Sequence, residues 1–292
     1  MIVKSKLIVF FLLLIGAALF AAPLKDIVPV ADSVRAEPDS LLRPPQLILP
    51  VQPERHIIPW RLAVYSGIVV SAAGFCYSRM DDWWGNDYGP FHIKHDDWNG
   101  DNLIQTDEIS HIFVSYRITQ ATTGLANWSG IKPPISRIIG GCLAGSIMLF
   151  VEYPVDAHNP VQGFGYSDMI ANSCGITFAL ARNKWPDQLS RFDIRFSIKS
   201  TVGISDEIIA QTLAQNDNYI YWLTVNPLED YPFHFGVGYS ANHDNPDFIA
   251  EREIYLGFGT SLAELAGLID TKWERDLQTL SFYELSFNFR IH

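Results

Sequence analysis

Basic residues are scarce in this chain. Lysine and arginine together number 21 against 32 aspartates and glutamates, for a formal net charge of −11. No basic stripe occurs, and such a chain repels phosphate backbones, so nucleic acid is excluded as a partner. Cysteine is scarcer still, with only Cys76, Cys142 and Cys174. An odd number without paired spacing excludes a disulfide framework and a cysteine metal site. Because all three fall in apolar, helix-patterned runs, they are expected to be small buried hydrophobes. Nucleophile elbow, P-loop, dinucleotide fingerprint and HExxH are missing too. GFGYSD begins Gly-x-Gly but lacks the strand–turn–helix context that cradles phosphate, so the sequence offers no cofactor site.

What is present is oily. Hydrophobic residues make up 48% and aromatics 13% of 292 residues, a length that suggests about two domains. Lys4 and Lys6 precede LIVFFLLLIGAALF and the small residues Ala21 and Ala22. Residues 1–22 therefore read as a signal peptide, with an uncleaved anchor as the alternative. No cysteine stands near the cut to carry a lipid. Residues 23–55 form a proline-rich arm, broken by Pro23, Pro29, Pro38, Pro44, Pro45, Pro50 and Pro53.

Residues 56–187 read as a four-helix module. His56–Arg79 is long and apolar enough to span a bilayer or fill a bundle core. Helical runs follow at Thr106–Trp128, Ile135–Tyr153 and Ser167–Trp185, the second of these with Gly141 and Gly145 spaced for close helix approach. Thr106 and Ser167 stand where helix caps are expected, and Asp107 and Asp168 lie in first turns where the dipole favours anions. Trp83, Trp84, Tyr88, Phe91 and Trp98 cluster in the loop beside the first run, which fits an interfacial belt, with a place in the core as the alternative for the tryptophans.

Residues 188–292 change to a period of two. RFDIRFSIKS puts Phe192, Ile194, Phe196 and Ile198 on one face and Asp193, Arg195, Ser197 and Lys199 on the other. YIYWLTVN, PFHFGVGYSA, REIYLGFGTS and FYELSFNFRIH behave alike. Five strands cannot close the usual eight-strand outer-membrane barrel, so a small antiparallel sheet is expected, with part of a barrel as the alternative. Glycines at alternate positions in HFGVGYS and YLGFGTS mark a face where something packs closely or the sheet bends. The fold class is α+β: a membrane-associated four-helix module followed by a small antiparallel β domain.

Three helices each bring a polar pair at i,i+4: Asp107 and His111, Glu152 and Asp156, Asp168 and Asn172. Ionisable groups among apolar helices are costly unless they face one another or a wet cavity, so the pairs are expected to converge. They read either as an interhelical network that locks the bundle or as a site. Carboxylates with one imidazole can bind a divalent metal or do general acid–base work, which makes Asp107, His111, Glu152, Asp168 and Asn172 the candidate catalytic residues. Asp107 is expected at the rim, orienting His111 inside. Separately, Asp97, Asn99, Asp101 and Glu108 fit positions of a calcium loop, weakened by Asn102 where glycine is usual.

TDEISHIFVSYRI, followed by VEYPVDAHNPVQGFGYSDMIANSCG, resembles the YfiM-like family of predicted periplasmic proteins of unknown function and echoes the VanZ-like membrane proteins. Their pattern is Asp-Lys-x-x-His, then Glu, then Asp-x-x-x-Asn-x-x-Gly. Asp107 and His111, Glu152, and Asp168, Asn172 and Gly175 match it, while Glu108 stands where the family has lysine. The resemblance implies an exported protein of the bacterial cell envelope, in periplasm or membrane, and supplies no reaction. Two functions follow from the sequence: a non-enzymatic, membrane-associated envelope protein that is structural or binds membrane lipid or another envelope component, or an envelope hydrolase or metal-dependent enzyme using the Asp/His/Glu/Asp cluster.

Overall fold

The computed structural model describes residues 56–84, 89–95, 98, 103–160, 162–199, 218–227, 231–242, 250–270, 273 and 281–291. The signal segment, the proline-rich arm, Tyr88 and the calcium-loop positions Asp97, Asn99, Asp101 and Asn102 lie outside them, as do the side chains of Cys76, Trp83 and Trp84. Among the described residues, helices come first and strands second. The helices are α1 (Pro59–Trp84), α2 (Thr106–Trp128), α3 (Pro133–Phe150), α4 (Tyr166–Lys184) and a short α5 (Pro186–Leu189). The strands are β1 (Phe192–Ile198), β2 (Tyr219–Val225), β3 (His234–Asn242), β4 (Glu251–Thr260) and β5 (Leu285–Arg290), with a small α6 (Leu262–Gly267) before β5. A π-helical turn, Val151–Val155, and a 3₁₀ turn, Asp156–His158, extend α3.

α2 is the central helix and packs against both α3 and α4. Two glycines set those distances. A Cβ at Gly175 of α4 would stand 2.1 Å from Ser115 Oγ and 2.3 Å from the Ile112 carbonyl oxygen, and one at Gly140 of α3 would stand 2.0 Å from Thr123 Oγ1. Gly141 and Gly145, singled out by their spacing, instead meet the side chains of Leu180 and Ile176 on α4. α1 touches the end of α2 through Tyr65, Leu125 and Ala126. There Arg61 lies over the rings of Trp60 and Trp128, each 5.4 Å away. The outward residues of α1, Val64, Val70 and Phe75, are exposed.

Neither expected cap forms. Thr106 Oγ1 donates to the Leu103 carbonyl, and the residue before α2 is Gln105 in the left-handed region, preceded by Ile104, also at positive φ. Ser167 lies inside α4 and donates to Glu108. The expectation of buried cysteines is also corrected, since Cys142 and Cys174 are both exposed. Neither faces a helix contact, because the helices meet at smaller residues, Gly140 of α3 and Gly175 of α4.

The strands form one antiparallel meander in the order β1-β2-β3-β4-β5. The segment before β5 bridges back to β1 at Phe196 and Tyr283, and Glu284 N–H donates to the Phe196 carbonyl at 2.8 Å. The two ends of the meander are thus drawn together. The inner face is polar: Asp193, Arg195, Ser197, Thr224, His234, Ser240 and Glu253 are all buried. Trp222 lies among them, its Nε1–H donating to Ser197 Oγ at 2.8 Å. A Cβ at Gly238 would stand 2.8 Å from the Trp222 ring and one at Gly257 2.7 Å, so the alternate glycines are the floor on which the indole rests.

The other face is apolar, and only part of it is covered. Phe113 of α2 packs on Phe196, Tyr219 and Tyr221. Beyond that contact, two cross-strand rows stand open. Leu223, Val237, Leu256 and Phe289 form one, and Val225, Phe235, Phe258 and Phe287 the other. Phe289 is 71% and Phe287 81% exposed.

Candidate functional site

The five residues named from sequence meet where α2, the π turn and α4 come together. Asp107 lies in the first turn of α2 with His111 one turn further, Asp168 lies in the first turn of α4 with Asn172 one turn further, and Glu152 sits in the π turn. His111 is the hub. Its Nδ1 lies 3.2 Å from Asn172 Oδ1 and 3.5 Å from Glu152 Oε1. Its Nε2 faces Asp107 Oδ1 at 3.9 Å and Asp168 Oδ1 at 3.8 Å. A hydrogen bond to Asn172 therefore sets the ring. Asp107 faces the same ring as an ion pair at 3.9 Å, and its expected place at an open rim is corrected, since it is only 5% exposed.

Glu152 is 1% exposed and neither of its oxygens accepts a hydrogen bond among the described residues. Burial pushes its carboxyl up to about 8, against the pull of His111 and with the help of the nearby acids Asp168, Asp156 and Asp107. Asp156, the partner of Glu152 in the i,i+4 spacing, begins the 3₁₀ turn, and its carbonyl accepts from the N–H of Gly163 at 2.8 Å.

Sequence reasoning missed Lys94. Its ammonium lies 3.5 Å from Asp107 Oδ2 and 3.9 Å from Asp168 Oδ2, supplying positive charge between two buried carboxylates. The placement is made by backbone. Lys94 N–H donates to the Phe164 carbonyl, Phe164 N–H donates to the His92 carbonyl, and Gly163 at φ 89° leaves no Cβ to strike the Lys94 backbone. A loop residue has no periodicity to read, so FHIKHD gave no signal. Asp107, His111 and Asp168 also each offer one ligand atom within 4.8 Å of the others, a set of two carboxylates and an imidazole that suits a divalent cation.

Glu108, next to the cluster, accepts from Ser167 Oγ at 2.8 Å. Burial raises its carboxyl above the usual range, while hydrogen bonds to it act the other way.

A second buried network, also missed, fills the inner side of the sheet. Asp193 Oδ1 accepts from Tyr116 at 2.7 Å and Arg117 at 3.2 Å, and Arg182 and Arg195 stand close by. Burial opposes its charge, but the three guanidiniums outweigh burial and hold Asp193 far below the carboxylate range. Arg195 reaches on to Glu264 and Glu284 at 3.1 Å each. His234 is pinned between those two glutamates, with Nε2 2.7 Å from Glu264 Oε1 and Nδ1 3.3 Å from Glu284 Oε1. The members lie between positions 116 and 284, and only the Ser261–Glu264 capping box leaves a local trace in the sequence.

Residues 95–184 match a family model described as predicted periplasmic lipoprotein (DUF2279), a family of unknown function. The match takes in Asp107, His111, Glu152, Asp168 and Asn172 and ends before β1. No curated protein and no solved structure matches the chain. The protein is an exported component of the bacterial cell envelope.

Proposed function

We propose that the protein is a non-enzymatic envelope component whose folded body lies against a membrane and binds lipid there. The observation that carries this is the polarity of the sheet. Its charged and hydrogen-bonding side chains are inside and matched to one another, while two rows of large apolar side chains face outward. Each such side chain gains about 1.5–3 kcal/mol when fully removed from water, so this arrangement is favoured where the surroundings are hydrocarbon. The helices agree. Ile135, Ile138, Leu149 and Phe150 of α3 are exposed, as are Phe91 and Trp98 in the loop.

The stretch Pro133–His158 is long and apolar enough to cross a membrane by length and composition. It packs against α2 and α4, and the attachment favoured here is lateral. His56–Arg79, expected to span a bilayer or fill a bundle core, falls largely within α1, whose Tyr65 packs against Leu125 and Ala126 of α2. The packing of the His111 cluster favours a structural role: its charged side chains are between 1% and 13% exposed, and His111 lies against Asn172 and Glu152. The resemblance to YfiM-like and VanZ-like proteins adds no reaction to this reading.

With a net charge of −11, the attachment is apolar and not electrostatic. The mature chain should float with phosphatidylcholine vesicles in a density gradient and stay bound in high salt. A Phe287→Ser, Phe289→Ser double variant should lose flotation while keeping its melting temperature, since both rings are exposed. A wild-type chain that remains at the bottom of the gradient would defeat the proposal. So would a dimer that dissociates on the same substitutions, because the face would then belong to a second copy.

A further inference from the structure

A cleft of about 410 Å³ opens between α2, α4 and the interior strands β3 and β4, which contribute Tyr239 and Arg252. Its floor is apolar: Ile109 and Ile112 from α2, and Ile170, Ala171 and Cys174 from α4. The spacings within each helix, three and four residues, make two parallel stripes of one groove. Ile170 is 66% exposed, so this floor is uncovered. Its size and apolar lining are those of a small-molecule site, which takes its specificity from a few placed polar groups.

Those groups are present, and they are of opposite charge. Glu108 lines the cleft and is 3% exposed. Ser167 satisfies its Oε1, but Oε2 is buried with no hydrogen-bond partner among the described residues. An acceptor left so in an apolar groove is destabilising and calls for a donor. Arg252 also lines the cleft, and one amino group of its guanidinium reaches Gln105 Oε1 at 2.9 Å. Carboxylate, guanidinium and an isoleucine floor therefore meet in one groove.

We propose that this cleft binds a single-chain region of an aminophospholipid: the ammonium head donates to Glu108, the phosphate meets Arg252, and the acyl chain lies over Ile109, Ile112 and Ile170. The proposal rests on the membrane reading for where the lipid is found, but it is tested in solution without a membrane. Cys174 lines the cleft and Cys142 does not, and both are exposed, which provides a reporter and an internal control. Alkylation by N-ethylmaleimide is followed at each cysteine by mass spectrometry, in lysophosphatidylethanolamine or lysophosphatidylglycerol below the micelle concentration. Lysophosphatidylethanolamine should slow alkylation of Cys174 by about tenfold, the effect of about 1.4 kcal/mol, and leave Cys142 unchanged. Lysophosphatidylglycerol should protect little. Glu108→Gln should erase the difference between the two lipids. Ile170→Trp, a change at an exposed position that fills the groove, should remove protection by both. Equal protection of the two cysteines, protection of neither, or a headgroup preference that survives Glu108→Gln would overturn the proposal. Vesicle flotation is read separately, so an empty cleft in a floating protein defeats only the cleft.

Discussion

Gly175 and Ser115 stand so close that α4 crosses α2 with no space for a methyl group: a Cβ would meet Ser115 Oγ at 2.1 Å and the Ile112 carbonyl oxygen at 2.3 Å. The second obstacle is backbone and cannot rotate away. Gly175→Ala should therefore push α4 off α2 and lower stability by about 3 kcal/mol, the upper end of overpacking costs. Because α4 also carries Asp168 and Asn172, the contact between Asn172 and His111 should weaken with it. Chemical denaturation gives the stability, and the His111 ring resonances in NMR report the contact.

His111→Ala removes the hub of the buried cluster. Asn172 Oδ1 then loses its contact at 3.2 Å, and Glu152 loses the imidazole that faces it. A loss of about 1–3 kcal/mol is expected, the cost of leaving buried polar groups unmet. A thermal melt by circular dichroism checks it. An unchanged melting temperature together with a lost cellular phenotype would instead mark the histidine as chemically active.

The His234 network should make stability depend on pH from both sides. Burial works against a charged His234, and Arg195 Nη1 at 3.3 Å from Nδ1 does too, but hydrogen bonds to Glu264 and Glu284 prevail and raise its proton affinity. That contribution is complete below the unfolded histidine value, about 6.5, and is lost as pH rises through the higher folded value. Burial also opposes charge on Glu264, yet His234 and Arg195 hold its carboxyl down to about 2. Its contribution is complete above the unfolded glutamate value, about 4.3, and is lost as pH falls toward the folded one. The network should thus contribute most between about pH 4.5 and 6.5. Urea titrations across pH should show a maximum there, and His234→Gln should flatten its alkaline side.

The indole of Trp222 fills the space above Gly238 and Gly257. Gly257→Ala should cost about 1–3 kcal/mol through the clash with the ring. In a Trp222→Leu background the same alanine should cost much less, because the obstructing atoms are gone. A double-mutant cycle measured by denaturation distinguishes this from a general dislike of alanine in the strand.

Period alone made much of the fold legible. The helix at Thr106–Trp128 could be read from its apolar, helix-patterned run, and all five strands from alternation, because successive strand residues go to opposite faces. The five members of the polar cluster were legible in the same way, each i,i+4 pair marking a helix face. Alternation does not say which face is inside, however. The regular pattern of Phe192, Ile194 and Phe196 against Asp193, Arg195 and Ser197 fits either polarity, and only tertiary partners such as Arg117, Arg182 and Glu284 decide it. Lys94 was hidden because a loop places it. The cysteines were misread because an apolar helix can turn oily residues outward as well as inward.

The turn that delivers Asp107 is made of Ile104 and Gln105, both at positive φ without being glycine. It is held from far along the chain: Tyr239 donates to the Ile104 carbonyl, 135 positions away, and Arg252 donates to the Gln105 side chain, 147 positions away. During synthesis the amino-terminal half leaves the ribosome before β3 and β4 have followed. The start of α2 must then wait for strands that arrive later, and the acidic cluster behind it cannot settle until the last third of the polypeptide has emerged. A chain arrested before Tyr239 should expose this turn to protease, whereas one arrested after β4 should protect it.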